Sequence, residues 1–318
     1  MQESRVRVVF MGTPEFSVPS LEGLVHDGYE IAAVYTQPDR PAGRSREVVL
    51  SPVKKAALEH GIPVYQPARL RDPEEMQSLA GLEPEVIVVA AFGQILPRSV
   101  LDIPRYGCLN VHPSLLPRYR GATPVPAAIL NGDRETGVTI MLMDAGLDTG
   151  PVLSQIVVDI LPDDTTGTLS ERLAQAGARL LTETLPLWID GSLKPNAQDD
   201  SKATVTASIK KEDGEIDWSM PAGVISRRVR AFEPWPGSYT HWQGKVVKII
   251  EAVSLPDIGD GEAGKVFQLG PGMPALVGVR TGEGILGLLT VQLEGKRPLP
   301  ADEFMRGQRS FVGSLLGR

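Results

Sequence analysis

Two polar side chains lie close together in the segment Gly107 to Pro117, GCLNVHPSLLP, where an apolar run ends at Pro113. If this run is a β-strand, Asn110 and His112 point to the same side, with their backbones about 6 to 7 Å apart. An amide and an imidazole that converge on one ligand can stabilise an oxyanion and carry a proton. A lone histidine is as often structural as catalytic, and asparagine is common in turns, so a third partner must decide.

Asp148 is the candidate third partner, in the turn-rich segment DAGLDTG. Asp144 opens the same segment and competes for the role. Such clusters of Asp and Gly are usually plain turns, so the segment alone predicts no function.

The elements around these residues alternate between apolar runs and amphipathic stretches. Arg5 to Met11 predicts a strand, and the apolar spacing that follows Gly12 predicts a helix. The near-continuous apolar run from Val86 to Phe92 is typical of a strand that is covered on both faces. The alternation predicts an α/β domain over residues 1–190 with a doubly wound, mostly parallel, Rossmann-like sheet. The strand that carries Asn110 would then end at the edge where such sheets bind ligands.

A second, smaller domain is predicted beyond a linker. Residues 191–207 (GSLKPNAQDDSKATVTA) are polar and aperiodic, as in an exposed interdomain connection. Residues 208–318 combine one helix-like segment with short strands between turns, which predicts an OB-like β-barrel. Within the first domain, Gln37 to Ser51 is longer than a usual strand-to-helix connection and is typical of a functional loop.

Composition indicates an ordinary globular protein. The chain has 318 residues, of which 42% are hydrophobic and 22% charged. It has no run of eighteen apolar residues, and its first residues are too charged for a signal peptide, so a cytoplasmic protein without a membrane segment is expected. The net charge of -7 excludes a dominating positive field, so a polyanionic partner must meet a local basic patch. The near-neutral part from Val205 onward is the better place for one.

Four other kinds of site are excluded by spacing. GTPEF follows the first strand but lacks the later glycines of a dinucleotide fingerprint, so no NAD is predicted. GDGEAGK at 259–265 imitates a phosphate loop, yet Val266 stands where a metal-binding Ser or Thr is needed. Cys108 and His112 are separated by about 13 Å along one strand, which excludes a thiol and imidazole pair. The four histidines and single cysteine are scattered, so no metal site is predicted.

Several segments together resemble one known family. NVHPSLLPRYRGATPV and TGVTIMLMDAGLDTG are similar to the formyltransferases that use 10-formyltetrahydrofolate. The similarity extends over nearly the whole chain, through FMGTPEFSVPSL, TQPDRPAGR, VVAAFGQILP and RAFEPWPGSY. The catalytic set of this family is an Asn, a His two residues later and a more distant Asp, which correspond here to Asn110, His112 and Asp148.

The combination of segments resembles the members of the family that formylate methionyl initiator tRNA for translation initiation. The resemblance implies that the methionyl amine attacks the formyl carbon of 10-formyltetrahydrofolate. Asn110 and a protonated His112 would stabilise the oxyanion. Asp148 would hold the imidazole and raise the pKa of His112 above about 6.5. No metal and no NAD are implied, and a monomer is expected.

The resemblance also implies where the folate lies. Its contacts would be Ser114, Leu115, Leu116 and Pro117, directly after the histidine. Phe92 and Leu96 are expected to line the same apolar slot. Leu115 and Leu116 are equally consistent with core packing.

For the tRNA, the resemblance places Arg40 and Arg44 of the TQPDRPAGR segment against the acceptor end. Many relatives continue with a more basic run, whereas SREV follows here. A second basic set, whose phosphate contacts would weaken with salt, comprises Lys210, Lys211, Arg227, Arg228 and Arg230.

Two alternatives stay open. A relative that formylates an amino sugar nucleotide or glycinamide ribonucleotide would share the same catalytic residues. The TQPDRPAGR segment and the second domain favour tRNA, more firmly against the ribonucleotide than against the sugar. A tRNA-binding or nucleotide-binding module without catalysis is disfavoured by the intact set of Asn110, His112 and Asp148.

Overall fold

The computed structural model describes residues 6–42, 47–257 and 261–317. The chain divides into two compact units. The first comprises residues up to 124, 135–159 and 170–206, and the second comprises 125–134, 160–169 and 207 onward. The predicted domains, 1–190 and 208–318 with a linker at 191–207, stay a prediction. They are contiguous, whereas the second unit includes two short pieces, 125–134 and 160–169, that lie within the predicted first domain.

Most elements of the first unit alternate between strand and helix. Its strands are β1 (Arg7–Gly12), β2 (Glu30–Tyr35), β3 (Arg40–Ala42), β4 (Glu47–Val49), β5 (Val64–Tyr65), β6 (Val86–Ala90), β7 (Cys108–His112), β8 (Arg120–Gly121), β9 (Glu135–Leu142), β10 (Val152–Asp159) and β11 (Val205–Thr206). The first helices are α1 (Val18–His26), α2 (Pro52–Glu59), α3 (Pro73–Gly81) and α4 (Arg98–Leu101). Helices α5 (Pro124–Asn131) and α6 (Thr166–Ile189) each contain a boundary between the units.

A seven-stranded sheet organises this unit, in the order β10-β9-β7-β6-β1-β2-β5. The five strands from β7 to β5 are parallel, and β9 and β10 are antiparallel additions. The chain leaves β1 toward β2 on one side and later returns to β6 on the other, so the direction of winding switches between β1 and β6. Every residue of β6 is buried, as expected for a strand covered on both faces. The predicted doubly wound, mostly parallel fold is confirmed.

Two local features differ from the sequence expectation. Within the segment Gln37 to Ser51, the short strands β3 and β4 pair antiparallel, a pairing that the sequence analysis did not predict. The apolar PVPAAILN forms α5, which the sequence analysis did not predict. Its proline at the first position suits a helix start.

The second unit contains an antiparallel sheet. Its elements are α7 (Ala222–Ala231), β12 (Ser238–Trp242), β13 (Lys245–Leu255), β14 (Val266–Gln268), β15 (Val277–Arg280), β16 (Ile285–Leu293), β17 (Leu299–Pro300) and α8 (Ala301–Gly307). The strands follow the order β12-β13-β16-β15-β14, with β17 on β16. The sheet curls into a half-barrel, which confirms the predicted small β domain. Trp242, Phe304 and Phe311 meet edge to face in its core.

The segment predicted as a linker is tied to the first unit. Short 3-10 helices lie at Glu15–Ser17, Asp200–Lys202 and Lys211–Gly214. Within 191–206, β11 pairs in parallel with β8, and Asn196 bridges to Val152. This part of the connection is therefore ordered by backbone hydrogen bonds although its side chains are largely polar.

Candidate active site

Strand β7 carries two of the predicted residues at its carboxyl end. It pairs in parallel with β6 and antiparallel with β9, so its side chains alternate between the faces of the sheet. Asn110 and His112 therefore share one face. His112 is buried, with 4% of its surface exposed, whereas Asn110 is half-buried.

Asp148 reaches the same place from the loop between β9 and β10. Its Oδ2 lies 3.8 Å from Nδ1 of His112 and accepts a 2.7 Å hydrogen bond from the backbone N–H of Gly121. Its Oδ1 accepts a 3.4 Å bond from Nδ2 of Asn110. The three residues predicted from the sequence are thus brought together, although their roles remain predictions.

Asp144, the competitor for the third position, has a different environment. Its side chain is exposed, and its Oδ1 accepts hydrogen bonds from the N–H of Gly146 at 3.0 Å and from Oγ1 of Thr149 at 2.7 Å. These bonds close the turn that leads to Asp148. Asp144 therefore shapes the loop, and Asp148 is the carboxylate beside the imidazole.

The orientation of the imidazole is set by a main-chain group. Nε2 of His112 lies 3.0 Å from the carbonyl oxygen of Tyr119. Because a carbonyl can only accept, Nε2 must carry the proton of this hydrogen bond. In the neutral imidazole, Nδ1 is then the unprotonated nitrogen, and it faces Asp148.

The expected direction of the His112 pKa shift is wrong. Burial lowers the pKa of His112 below its ordinary value of 6.5, and this effect outweighs the raising effects of the Asp148 charge and of the Tyr119 carbonyl. Removing an imidazolium from water costs more than one neighbouring carboxylate restores. His112 is therefore neutral at neutral pH in the free protein, and its Nδ1 can accept a proton.

We expect His112 to be neutral at pH 6.5 with its proton on Nε2. Nitrogen-15 NMR of protein labelled at histidine distinguishes the two neutral tautomers and the charged form, and the spectrum of His112→Asn identifies the signal. Asp148→Asn should lower the pKa further, because the Asp148 charge raises it. A His112 signal that is mostly imidazolium at pH 6.5 would contradict the neutral assignment.

Three non-glycine residues around the site have a left-handed backbone. The φ angles are 46° at Ala91, 58° at Tyr119 and 52° at Asp148. Such conformations cost about 1–3 kcal/mol each and are kept where the surroundings hold them. Two of them, Tyr119 and Asp148, are the residues whose carbonyl and carboxylate face His112.

A cavity of about 530 Å³ opens at the carboxyl ends of β6 and β7. Asn110, His112 and Asp148 are among its lining residues. The remaining lining is largely apolar and includes Val89, Phe92, Ile95, Leu96, Met141, Met143 and Leu147. An apolar cavity with a few convergent polar groups is typical of a site for a small organic ligand.

The predicted folate contacts fall into two groups. Phe92 and Leu96 line the cavity, whereas Ser114, Leu115, Leu116 and Pro117 are not among the lining residues. Oγ of the buried Ser114 donates to the Arg118 carbonyl at 2.6 Å, and the N–H of Leu116 donates to Oγ1 of Thr139 at 3.1 Å. These bonds shape the turn after His112, and the folate role of its four residues stays a prediction.

Cys108 has the properties of a core residue. It is 1% exposed, and burial raises the pKa of its thiol to about 12. A protonated, inaccessible thiol is not a nucleophile. Across the described ranges, no group of three His, Cys, Asp or Glu side chains is arranged to hold a metal ion. Of the helices in the described part of the chain, none combines the length and apolar character needed to cross a membrane.

The predicted tRNA contacts are only partly described. Arg44 lies outside the described residues, and of Arg40 only the backbone, in β3, is described. Lys210 is exposed, and its backbone N–H donates to Asp213 at 2.7 Å. Its side chain is therefore on a surface that a polyanion can reach.

Arg227 and Arg230 line a second cavity of about 340 Å³ within the second unit, together with Arg134 and Asp133. Nε of Arg227 donates to the Leu130 carbonyl at 3.1 Å, and Nη1 of Arg230 donates to the Asp164 carbonyl at 2.9 Å. Burial, and then the Arg227 charge, lower the pKa of Arg230. An anion in this cavity would relieve the repulsion between the guanidinium groups.

Two groups at the active site could not be found from residue types. The Gly121 N–H and the Tyr119 carbonyl are main-chain groups, and each bonds a predicted catalytic side chain. The only sequence signal is their position shortly after His112 in the RYRGATP segment.

Comparison with known proteins agrees with this site. The family described as "Formyl transferase" matches residues 5–185, and the one described as "Formyl transferase, C-terminal domain" matches residues 208–309. Among solved structures, HypX from Aquifex aeolicus in complex with tetrahydrofolic acid superposes with a TM-score of 0.66 at 18% identity. That alignment covers 97% of this chain and 48% of HypX, and it shows a shared fold.

Curated relatives are similar over nearly their full length. A methionyl-tRNA formyltransferase from Dehalococcoides mccartyi is 50% identical over 314 residues, which cover 99% of both chains. One from a Roseiflexus species is 51% identical and covers 98% of this chain and 95% of the relative. From the two family matches and these relatives, we conclude that the chain belongs to the formyl transferase family.

Proposed function

We propose that this protein transfers the formyl group of 10-formyltetrahydrofolate to the amino group of methionyl initiator tRNA. The products are N-formylmethionyl-tRNA, for translation initiation, and tetrahydrofolate. The convergence of Asn110, His112 and Asp148 at the cavity carries the chemistry. The relatives named methionyl-tRNA formyltransferase, at about 50% identity, indicate the acceptor.

Asn110 is assigned to the formyl oxygen. When the methionyl amine adds to the formyl carbon, this oxygen becomes an anion and needs a donor. One Nδ2 hydrogen of Asn110 makes the long 3.4 Å bond to Asp148, and the other remains to bond the oxyanion.

His112 is assigned to proton transfer. Its neutral Nδ1 accepts the proton that the amine loses as its nitrogen bonds to the formyl carbon. The Asp148 carboxylate stabilises the imidazolium so formed. The same proton then passes to the folate nitrogen as its bond to the formyl carbon breaks, so His112 ends the cycle neutral.

The cavity suits a folate on chemical grounds. Phe92, Leu96 and Met143 provide an apolar surface for a flat ring system, and Asn110, His112 and Asp148 line the same cavity. No metal ligand set is required, because the acid, base and oxyanion donors are all side chains of the chain.

We predict that Asn110→Ala lowers kcat by about a hundredfold to a thousandfold, the usual cost of losing one oxyanion donor. The Michaelis constants should change little, because the bond strengthens only as the charge develops. Steady-state formylation kinetics measure both quantities. Near-normal turnover in this variant would remove Asn110 from the mechanism.

Arg227 and Arg230 are proposed to contact phosphates of the tRNA, together with Lys210 and the arginines of the TQPDRPAGR segment. Replacing Arg227 by Gln should raise the Michaelis constant for tRNA about tenfold with little change in kcat. The slope of log affinity against log salt should also fall by about one, since one phosphate contact is lost.

Arg228 is the matched control for this measurement. It lies on the same helix, but its guanidinium donates to the Asp213 carbonyl and stacks 5.0 Å from the Phe232 ring instead of lining the cavity. Arg228→Gln should therefore weaken tRNA binding less than Arg227→Gln. Equal effects of the two variants on tRNA binding would argue against the cavity as the place where a tRNA phosphate binds.

The acceptor is tested directly by mass spectrometry. Purified protein and 10-formyltetrahydrofolate are mixed separately with methionyl initiator tRNA, methionyl elongator tRNA and an amino sugar nucleotide. Formyl-methionyl adenosine from digested initiator tRNA alone would support the proposal. A formylated sugar without formyl-methionine would keep the catalytic assignment and overturn the acceptor.

A cytoplasmic location follows from the proposed place in translation.

A further inference from the structure

We propose that Gln198 is a positioning residue for the reaction, which holds the main chain of the Asp148 turn so that the carboxylate stays beside His112. Gln198 lies in the polar segment that the sequence predicts as a linker. The inference rests on the proposed formyl transfer and adds a residue to its machinery.

The side-chain amide of Gln198 is fully used. Its Nε2 donates to the carbonyls of Asp148 at 2.8 Å and Gly150 at 2.7 Å. Its Oε1 accepts from Nε of Arg120 at 3.1 Å and from Nη2 of the same residue at 2.8 Å. Both donors and both lone pairs are satisfied, so a flipped amide would face carbonyls with its oxygen and a cation with its NH2 group.

This amide and its neighbour hold Asp148 from two sides. Arg120, which is 7% exposed, bonds Gln198, and Gly121, the next residue, donates its N–H to Oδ2 of Asp148. Gln198 therefore fixes the Asp148 main chain, while Gly121 fixes the carboxylate. The two contacts together set the direction of the side chain.

The conformation of Asp148 gives this restraint a purpose. A φ of 52° is disfavoured for a residue with a side chain, so an unrestrained turn would relax toward negative φ. That rotation would carry the carboxylate away from Nδ1 of His112. The carbonyl that Gln198 binds belongs to the strained residue itself.

Gln198 is carried by a well-anchored segment, residues 196–206. Oγ1 of Thr204 accepts the N–H of Tyr119 at 2.8 Å, and the Arg120 N–H donates to the Thr204 carbonyl at 2.8 Å. Asn196 exchanges two backbone bonds of 2.8 Å with Val152. The anchored segment thus contacts both the residue that orients the imidazole and the loop that carries the carboxylate.

The variant Gln198→Glu tests the positioning role of this side chain separately from its contribution to folding stability. A glutamate has the same shape and keeps an acceptor for Arg120, with an added ionic attraction. It cannot donate to the carbonyls of Asp148 and Gly150, and it places a charged oxygen against them. The expected result is a kcat at least about tenfold lower, Michaelis constants within about twofold, and a melting temperature close to that of the wild type.

A double-mutant cycle with Asp148→Asn tests whether Gln198 acts through Asp148. If it does, Gln198→Glu should cost little further rate in the Asp148→Asn background, measured in single turnovers with enzyme in excess. Lys202→Ala is the control, because this side chain is exposed in the same segment and pairs only with Asp199 in the described contacts. It should keep the wild-type rate.

Two results would overturn the proposal in a wild type that formylates initiator tRNA. One is a kcat of Gln198→Glu within twofold of the wild type. The other is an equal fold loss of rate from Gln198→Glu in the wild-type and in the Asp148→Asn background. If Gln198→Glu does not fold, Gln198→Ala, which leaves Arg120 its bond to Asp200, replaces it under the same criteria. A wild type without formylation would instead refute the proposed function.

Discussion

Replacing Asp148 by asparagine should lower kcat about ten-thousandfold, the size of effect seen when a carboxylate beside a catalytic imidazole becomes an amide. The Gly121 N–H requires an acceptor, so the asparagine oxygen would take the position of Oδ2. Its NH2 group would then face the Nδ2 donor of Asn110 and break that bond. The imidazolium would also lose its counter-charge. Single-turnover formylation measures the chemical step.

The control for this variant is Asp144→Asn, which keeps the Oδ1 acceptor of its turn. Its rate should stay within a few-fold of the wild type. Folate binding, measured by fluorescence, should be largely kept in both variants. Unchanged catalysis in Asp148→Asn with a large loss in Asp144→Asn would exchange the two roles.

Replacing His112 by alanine should lower kcat by about the same factor as Asp148→Asn, up to about ten-thousandfold, because the proton acceptor is removed. The losses from His112→Ala and Asp148→Asn should not add, since both residues serve one proton transfer. The double variant is therefore expected to be no more than a few-fold slower than the worse single variant.

The same kinetic assay checks this second expectation at several pH values. The pH profile of the residual kcat of His112→Ala should no longer show the titration of an imidazole. Exogenous imidazole should restore part of this kcat, because the cavity is open to small molecules. Full additivity, or a rate near that of the wild type, would exclude His112 as the proton acceptor.

The strands and helices of the first unit were predictable because burial determines the pattern of apolar residues. A strand buried on both faces is apolar throughout, and a helix buried on one face has apolar residues at helical spacing. β6 is apolar at every position, and the buried residues of α1 include Leu21 and Leu24 at helical spacing. The pairing of β8 with β11 was not predictable. Each strand has only two residues, and their partners lie 85 residues apart.

The residues of the candidate site were predictable from their types and spacing. The loop path, the direction of the His112 pKa shift and the main-chain contacts were not. Strand alternation places Asn110 and His112 on one face, whereas choosing Asp148 over Asp144 from the residues requires the path of the loop. The sign of the His112 pKa shift depends on burial, which the strand pattern does not quantify. The contacts of Gln198 and Tyr119 involve main-chain carbonyls, and no residue type encodes these.

The inaccessible thiol of Cys108 makes the native chain a ready background for site-specific labelling. It is the single cysteine of the sequence, and as a buried, protonated group it should resist alkylating dyes. A cysteine introduced at the exposed position 202 would then be the one reactive thiol in the folded protein. A fluorophore attached there would report on the anchored segment during turnover without any cysteine having to be removed first.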